Sequence, residues 1–267
     1  MPIIDVAGAT IYFETAGSGD PLVLIPGFAS GIWSWKFQFD VLSDYFRVIA
    51  FDPRGISRSH IKADYPNSIE CIADDVGLLL DELGVQKANI LGTSFGGFVT
   101  QEFALRYPER TNKLVLACTS YGGPGHVLPS MEILSAFAAT KGLNSKERIR
   151  KYLAMAFSPE FIVESPGIVD DFCLLREQNK VPEYVYLNQL SSATTFDASA
   201  RVSQIGCETL VLTGDRDTVV PMQNSINLAA TIPHATLVTV DGGSHMFFVE
   251  QNKRFNSIVV DFLTHAQ

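Results

Sequence analysis

The residues best suited to chemistry in this chain are a serine, a histidine and an aspartate, spaced so that an acyl group can pass through the serine hydroxyl. Ser94 lies in Ile90-Leu91-Gly92-Thr93-Ser94-Phe95-Gly96-Gly97, a Gly-x-Ser-x-Gly pattern between an apolar run and a helical one. A serine hydroxyl is a weak nucleophile and must be held clear of the backbone beside a base. A sharp strand-to-helix turn does this, at the cost of strained backbone angles. Gly92 and Gly96 are the small residues that let such a turn close. The helix that follows aims its first N–H groups at the place where negative charge develops.

Five histidines are available as the base: His60, His126, His234, His245 and His265. His245 ends Asp241-Gly242-Gly243-Ser244-His245, a loop directly after the last apolar run. Open α/β sheets gather their sites in such loops. His60 and His126 lie in loops after other strands and are weaker rivals. His234 follows Pro233 in a surface turn, and His265 lies in the tail. The acid must orient the histidine and stabilise its charged form. It is sought in Thr213-Gly214-Asp215-Arg216-Asp217-Thr218-Val219-Val220-Pro221. Asp215 directly follows the turn glycine, where it can bond local backbone or pair with Arg216. Asp217 is deeper in the loop and is the preferred acid. The chain order is then Ser94, Asp217, His245.

These loops need a rigid frame, and the apolar pattern supplies one. Pro21-Leu22-Val23-Leu24-Ile25 is a continuous apolar run, as in a strand covered on both faces. Similar runs occupy 47–51, 88–91, 113–117, 209–212 and 236–240. The alternation on either side of Gly8 reads as a hairpin. Asn67-Ser68 caps a helix whose apolar positions are Ile69, Ile72, Val76, Leu79, Leu80 and Leu83, with Gly84 at its end. A second helix spans 95–107 and stops at Pro108. A last one carries Phe255, Ile258, Val259, Phe262 and Leu263. Alternating strands and helices predict an α/β protein with a mostly parallel sheet covered on both faces. The alternation breaks between about residues 122 and 201, which read as several helices, one over 145–157, punctuated by Pro159, Pro166 and Pro182. The predicted organisation is a core of 1–121 and 201–267, with a helical insertion at 122–200.

Taken together, the Ser94, Asp217 and His245 segments resemble the α/β-hydrolase superfamily. Phe51-Asp52-Pro53-Arg54-Gly55-Ile56-Ser57-Arg58-Ser59 also resembles that family's D-x-R-G-x-G-x-S loop, read with Ile56 and Ser57 conforming and Arg58 as a spacer. The resemblance implies the α/β-hydrolase fold, a mostly parallel eight-stranded sheet flanked by helices, with the insertion as a helical cap. It also favours Asp217 over Asp215 as the acid. An acyl-transfer site needs two N–H donors for its oxyanion. Phe95, directly after the nucleophile, supplies one. Phe28, in the loop Pro26-Gly27-Phe28-Ala29-Ser30, supplies the other. The family often has His-Gly where this chain has Pro26-Gly27, and a backbone donor survives that change.

The resemblance implies a serine hydrolase that cleaves a carboxylic ester or lactone of a small, largely apolar substrate through an acyl-enzyme. Trp33, Phe137, Phe157 and Phe247 are candidate pocket residues, although large apolar side chains also serve cores. Arg54 and Arg176 are candidates to meet a substrate carboxylate, with ion pairing the plainer role for each. Carbon–carbon bond hydrolases, cofactor-free perhydrolases or haloperoxidases, and slow-turnover ligand receptors share the framework and stand as alternatives. No cofactor and no metal are expected: Cys71, Cys118, Cys173 and Cys207 are far apart and read as free thiols. A net charge of −9 argues against a nucleic-acid partner. No apolar run is long enough for a membrane span, and the N-terminus lacks a basic, then apolar, leader. A cytoplasmic location is the corresponding expectation.

Overall fold

A computed structural model describes residues 2–139 and 142–265. Strands β1 (Ile3–Val6) and β2 (Ala9–Ala16) form a hairpin about Gly8, which takes φ +72°. Then come β3 (Pro21–Ile25), α1 (Phe39–Ser43), β4 (Arg47–Phe51) and the two-residue β5 (His60–Ile61). The elements α2 (Ile69–Glu82), β6 (Ala88–Thr93), α3 (Phe95–Arg106) and β7 (Thr111–Ala117) follow. Next are α4 (Met131–Ala138), α5 (Ser145–Ala156), α6 (Pro159–Glu164), α7 (Pro166–Gln178) and α8 (Glu183–Thr195), with no strand between them among the described residues. The chain ends through β8 (Thr209–Gly214), α9 (Gln223–Thr231), β9 (Ala235–Val240), α10 (Phe247–Glu250) and α11 (Asn252–Thr264).

The strands lie in the order β1-β2-β4-β3-β6-β7-β8-β9, with β5 alongside β2. Pairing is antiparallel as far as β2–β4 and parallel from β4 to β9. Period-two alternation divides the core between the two faces of this sheet. Val23 and Ile25 of β3 join Ile72, Val76, Leu80 and Phe103 on one face. Leu22 and Leu24 join Trp35, Leu42, Phe255 and Val259 on the other. The cap of α2 forms as the residue pattern requires: Ser68 Oγ accepts the Cys71 N–H at 3.3 Å. Its Ile69, Ile72, Val76, Leu79 and Leu80 side chains are buried, each contributing about 1.5–3 kcal/mol. Gly84 closes it with φ +64°.

The five inserted helices are tied at their base. Tyr121 and Gly123 pair with Phe196 and Ala198 through Gly123 N to Phe196 O and Ala198 N to Tyr121 O, both 2.9 Å. A capping box of Asn144 and Glu147 opens α5. Pro159 and Pro166 stand in the first turns of α6 and α7, where a missing N–H costs nothing.

The loop after β4 corrects two readings. Ser57 takes φ +55° and stands where the motif has its second glycine, so it departs from the pattern. Arg58 is no spacer. It reaches Asp52 at 2.9 Å and Glu14 at 2.6 Å and lies 3.8 Å over the Tyr12 ring. Arg54 is buried in a two-point pair with Asp75, at 2.7 and 2.5 Å, and has a structural role.

Candidate active site

Ser94 occupies the single residue between β6 and α3, at φ +53°, ψ −118°. A side-chain-bearing residue seldom adopts that conformation, and holding it there costs on the order of 1–3 kcal/mol. The surroundings impose it. Ser94 N donates to Ala117 O at 2.8 Å, while Ser94 O accepts from Gly97 N at 2.9 Å and from Thr119 Oγ1 at 2.8 Å. The two glycines are sterically required. A Cβ on Gly92 would collide with Thr100 Oγ1 and the Gly96 carbonyl, and one on Gly96 would collide with the Ile25 and Pro26 carbonyls. The β3 loop therefore abuts the serine: a Cβ at Gly27 would stand 3.7 Å from Ser94 Cβ.

The candidate acid and base, Asp217 and His245, meet across two further strand ends. His245 Nδ1 lies 2.8 Å from Asp217 Oδ2, and both residues are buried. The other carboxylate oxygen, Oδ1, accepts the N–H groups of Val219 and Val220 at 2.9 and 2.8 Å. A carboxylate only accepts, so the shared proton belongs to Nδ1 and Nε2 is left as the basic nitrogen. Asp215 is exposed, and Arg216 pairs with Glu160 at 3.6 Å rather than with Asp215. Of the rival histidines, His126 pairs with Ser120 Oγ at 2.9 Å, and His60 and His234 are exposed. His245 is the histidine that sits against an acid among the described residues.

Phe95 is the first residue of α3, so its N–H has no carbonyl four residues back. Among the described residues the Phe28 N–H has no acceptor either. The Phe28 ring meets the Phe95 ring edge-on at 6.2 Å. Two unused backbone donors thus flank the Ser94 turn. Between Ser94 and Asp217 lies a residue whose place composition did not reveal. Cys118 is fully buried at φ +44°, just past β7. Burial, with the Asp217 charge adding to it, pushes its thiol well above the ordinary range, so it stays protonated beside the serine.

The inserted helices reach the histidine loop, the acid loop and the loop after β3. Met246 N donates to Ala156 O at 3.0 Å, and Thr218 Oγ1 to Met155 O at 3.3 Å, so the end of α5 holds the histidine and acid loops. From α8, Gln189 Oε1 accepts the Ala29 N–H at 2.7 Å. The Tyr186 ring, also on α8, packs 4.9 Å from Phe28. Arg176 on α7 has Nη1 buried without a hydrogen-bond partner, and no acid pairs with it among the described residues. Burial lowers this guanidinium to about 10, partly offset by nearby Tyr186. The expectation that Arg176 forms an ion pair is thereby corrected.

Of the aromatic pocket candidates, Trp33 and Phe157 both pack on Phe172. Trp33 packs 6.1 Å from Phe172 and lines a groove of about 440 Å³ with Trp35, Phe39, Leu174 and Leu175. None of Ser94, Asp217 and His245 lines that groove. Phe157 is buried against Phe161 and Phe172. Phe247 is fully buried between Phe248 and Phe255 and belongs to the core. The Phe137 side chain lies outside the described residues. Among the described residues no group of three or more His, Cys, Asp or Glu is gathered for a metal, and no helix is long and apolar enough to cross a membrane.

The parallel sheet, the strained serine turn and the acid–base pair past β8 and β9 together define an α/β hydrolase. A family profile described as the alpha/beta hydrolase fold matches residues 20–251, and the chain belongs to that family. Over 98% of both chains it is 28% identical to an Azorhizobium caulinodans protein provisionally named a carbamate hydrolase. It is 30% identical to the 2-hydroxymuconate semialdehyde hydrolase of a Pseudomonas strain, over 98% of this chain and 93% of the relative. Among solved structures it superposes on Est816, described as degrading N-acyl homoserine lactones, with TM-score 0.85 and 28% identity over 98% and 100% of the two chains.

Proposed function

We propose that this protein is a serine hydrolase that cleaves a carboxylic ester or lactone through an acyl-enzyme. The observation that carries the reading is the buried Asp217–His245 pair, 2.8 Å long, beyond the same sheet ends as the strained Ser94 turn. In this reading His245 Nε2 takes the Ser94 Oγ proton as Oγ attacks the carbonyl. The N–H groups of Phe28 and Phe95 receive the oxyanion. His245 then protonates the departing alkoxide, and the acyl group remains on Ser94. A water that gives its proton to His245 attacks next, and as the intermediate collapses His245 returns that proton to Ser94 Oγ, freeing the carboxylic acid and the serine hydroxyl.

One observation favours a second reading within the same machinery. The unpartnered Arg176 guanidinium suits a carboxylate-bearing substrate, because a buried cation without an anion is costly until a ligand supplies one. Relatives in Comamonas testosteroni and Pseudomonas carry names of dienoate and semialdehyde hydrolases. These names support carbon–carbon bond cleavage of an acidic substrate as the alternative.

Labelling with a fluorophosphonate probe tests the serine assignment. Wild-type protein is expected to be modified and Ser94→Ala protein untouched. Labelling that survives Ser94→Ala removes the assignment. A panel of p-nitrophenyl esters, lactones with and without a carboxylate, and a vinylogous diketone acid then separates the two readings.

A further inference from the structure

Ala29 is buried completely and takes φ +51°, a left-handed conformation that alanine avoids. It immediately follows Phe28, whose N–H is the second oxyanion donor in the reading above. Within the loop, Ser30 N reaches Gly27 O at 3.2 Å and Ser30 Oγ reaches Phe28 O at 3.2 Å. Farther on, Asp52 Oδ1 holds the Ile32 N–H at 2.8 Å. These contacts close the turn and anchor its exit, but none receives the Ala29 N–H. That group is taken by Gln189 Oε1 at 2.7 Å, from a side chain 160 residues away in sequence and 1% exposed. Gln189 sits one turn beyond Val185 and Tyr186 on one face of α8. Tyr186 packs on the Phe28 ring, and Val185 lies so near Gly55 that a Cβ there would stand 2.6 Å from Val185 Cγ2. The helix thus holds consecutive residues of the loop, one by its ring and the next by its backbone.

We infer that Gln189 is a positioning residue for the oxyanion hole: through the Ala29 N–H it fixes the Phe28–Ala29 peptide and so aims the Phe28 N–H at the developing oxyanion. The two peptide planes share the Phe28 Cα. With the Phe28 ring held by Tyr186, fixing one plane leaves little freedom to the other. Without the Gln189 acceptor, Ala29 N–H is a buried donor with nothing to bond, and rotating the strained turn relieves both faults while turning Phe28 N–H away. This role rests on the serine-hydrolase reading. It adds that the inserted helix completes the site.

The test compares wild type with Gln189→Met, which keeps the bulk and loses the acceptor, Gln189→Glu, which keeps an acceptor oxygen, and Gln189→Asn, which draws the acceptor back by one methylene. Each is measured for kcat and KM on p-nitrophenyl butyrate, for butyrate inhibition, for phenylboronic acid inhibition and for thermal melting. The boronate adds to the serine and places a tetrahedral anion in the hole, whereas butyrate reports the ground state. Removing a whole oxyanion donor costs about 10²–10³ in kcat. Misaiming one is expected to cost Gln189→Met about 30-fold in kcat and a similar factor in boronate affinity. KM and butyrate affinity should stay within about threefold, and Gln189→Glu should recover most of the loss. If Gln189→Met does not fold, Gln189→Asn carries the same expectation with a smaller factor. The role is overturned if the acceptor-deficient variant keeps wild-type kcat and boronate affinity, or if Gln189→Glu is as impaired as Gln189→Met. Wild-type protein that fluorophosphonate fails to label overturns the hydrolase reading, and this role with it. Labelled wild type with indifferent variants overturns this role alone.

Discussion

Replacing Asp217 with asparagine separates the chemical role proposed for it from its structural one. In the native loop Oδ1 accepts two backbone N–H groups, from Val219 and Val220, and Oδ2 faces His245 Nδ1 at 2.8 Å. The asparagine oxygen must take the first position, because only an acceptor satisfies two donors. Its NH₂ then faces Nδ1, which must become an acceptor, and the ring proton moves to Nε2. Nε2 can no longer take a proton from Ser94. A wrong tautomer of this kind costs about 10⁴-fold in other triads, four decades at about 1.36 kcal/mol each, or ~5 kcal/mol of transition-state stabilisation. The loop's own hydrogen bonds survive, so the melting temperature should move by only a few degrees. The assay is kcat/KM on the best ester of the panel, with thermal melting on the same samples. Asp215→Asn is the control, since Asp215 is exposed, and it should change the rate less than twofold. Asp217→Asn protein that keeps more than a tenth of wild-type kcat/KM, or an Asp215→Asn loss of a hundredfold, would refute the assignment.

Arg176→Leu should raise KM for a carboxylate-bearing substrate about 10–100-fold, the scale of one charge-assisted hydrogen bond, and leave neutral esters unaffected. The same change removes a buried unpaired cation, so the variant should melt higher than wild type; equal KM values for acidic substrates would count against an anion site. Burial holds His126 below its ordinary 6.5. The unfolded chain therefore takes the proton first, and stability should fall as pH drops below about 6.5 toward the lower folded value. His126→Gln should flatten that part of the melting-temperature profile, and an unchanged slope would assign it to other groups.

The central strands are legible because both faces of the sheet are covered, so each reads as an unbroken apolar run. The serine turn is legible because its geometry leaves no alternative to small residues at Gly92 and Gly96. Two-residue β5 is not legible, since a period cannot be expressed in two positions. Residue type also fails to separate a pocket wall from a core: Phe247 and Trp33 are equally apolar, yet one packs between Phe248 and Phe255 while the other lines a groove away from the serine. Charge pairing is a tertiary property as well. Arg54 finds Asp75, whereas Arg176 finds no acid among the described residues, and nothing local distinguishes them. The Gln189–Ala29 bond was hidden for the same reason, because a polar residue on an inserted helix gives no sign of its partner 160 positions away.

The strained residues show why the insertion and the sheet form one working unit. Ala29, Ser94 and Cys118 all have positive φ, and they follow β3, β6 and β7, which are neighbours in the sheet. Each such residue would relax in an isolated loop, since about 1–3 kcal/mol favours release. Ser94 is restrained from within the core, by Ala117 of β7, Gly97 of α3 and Thr119 just past β7. Cys118 is restrained there too, its N–H donating to Leu212 O at 2.9 Å. The sheet supplies no partner for the Ala29 N–H, and α8 does. The histidine loop likewise uses Ala156 O at the end of α5. In the proposed hydrolase, a shift of α5 or α8 therefore changes the aim of the base or of an oxyanion donor. Substrate contacts made on these helices can then alter kcat as well as KM, because binding energy realised there bears on the geometry of the reacting groups.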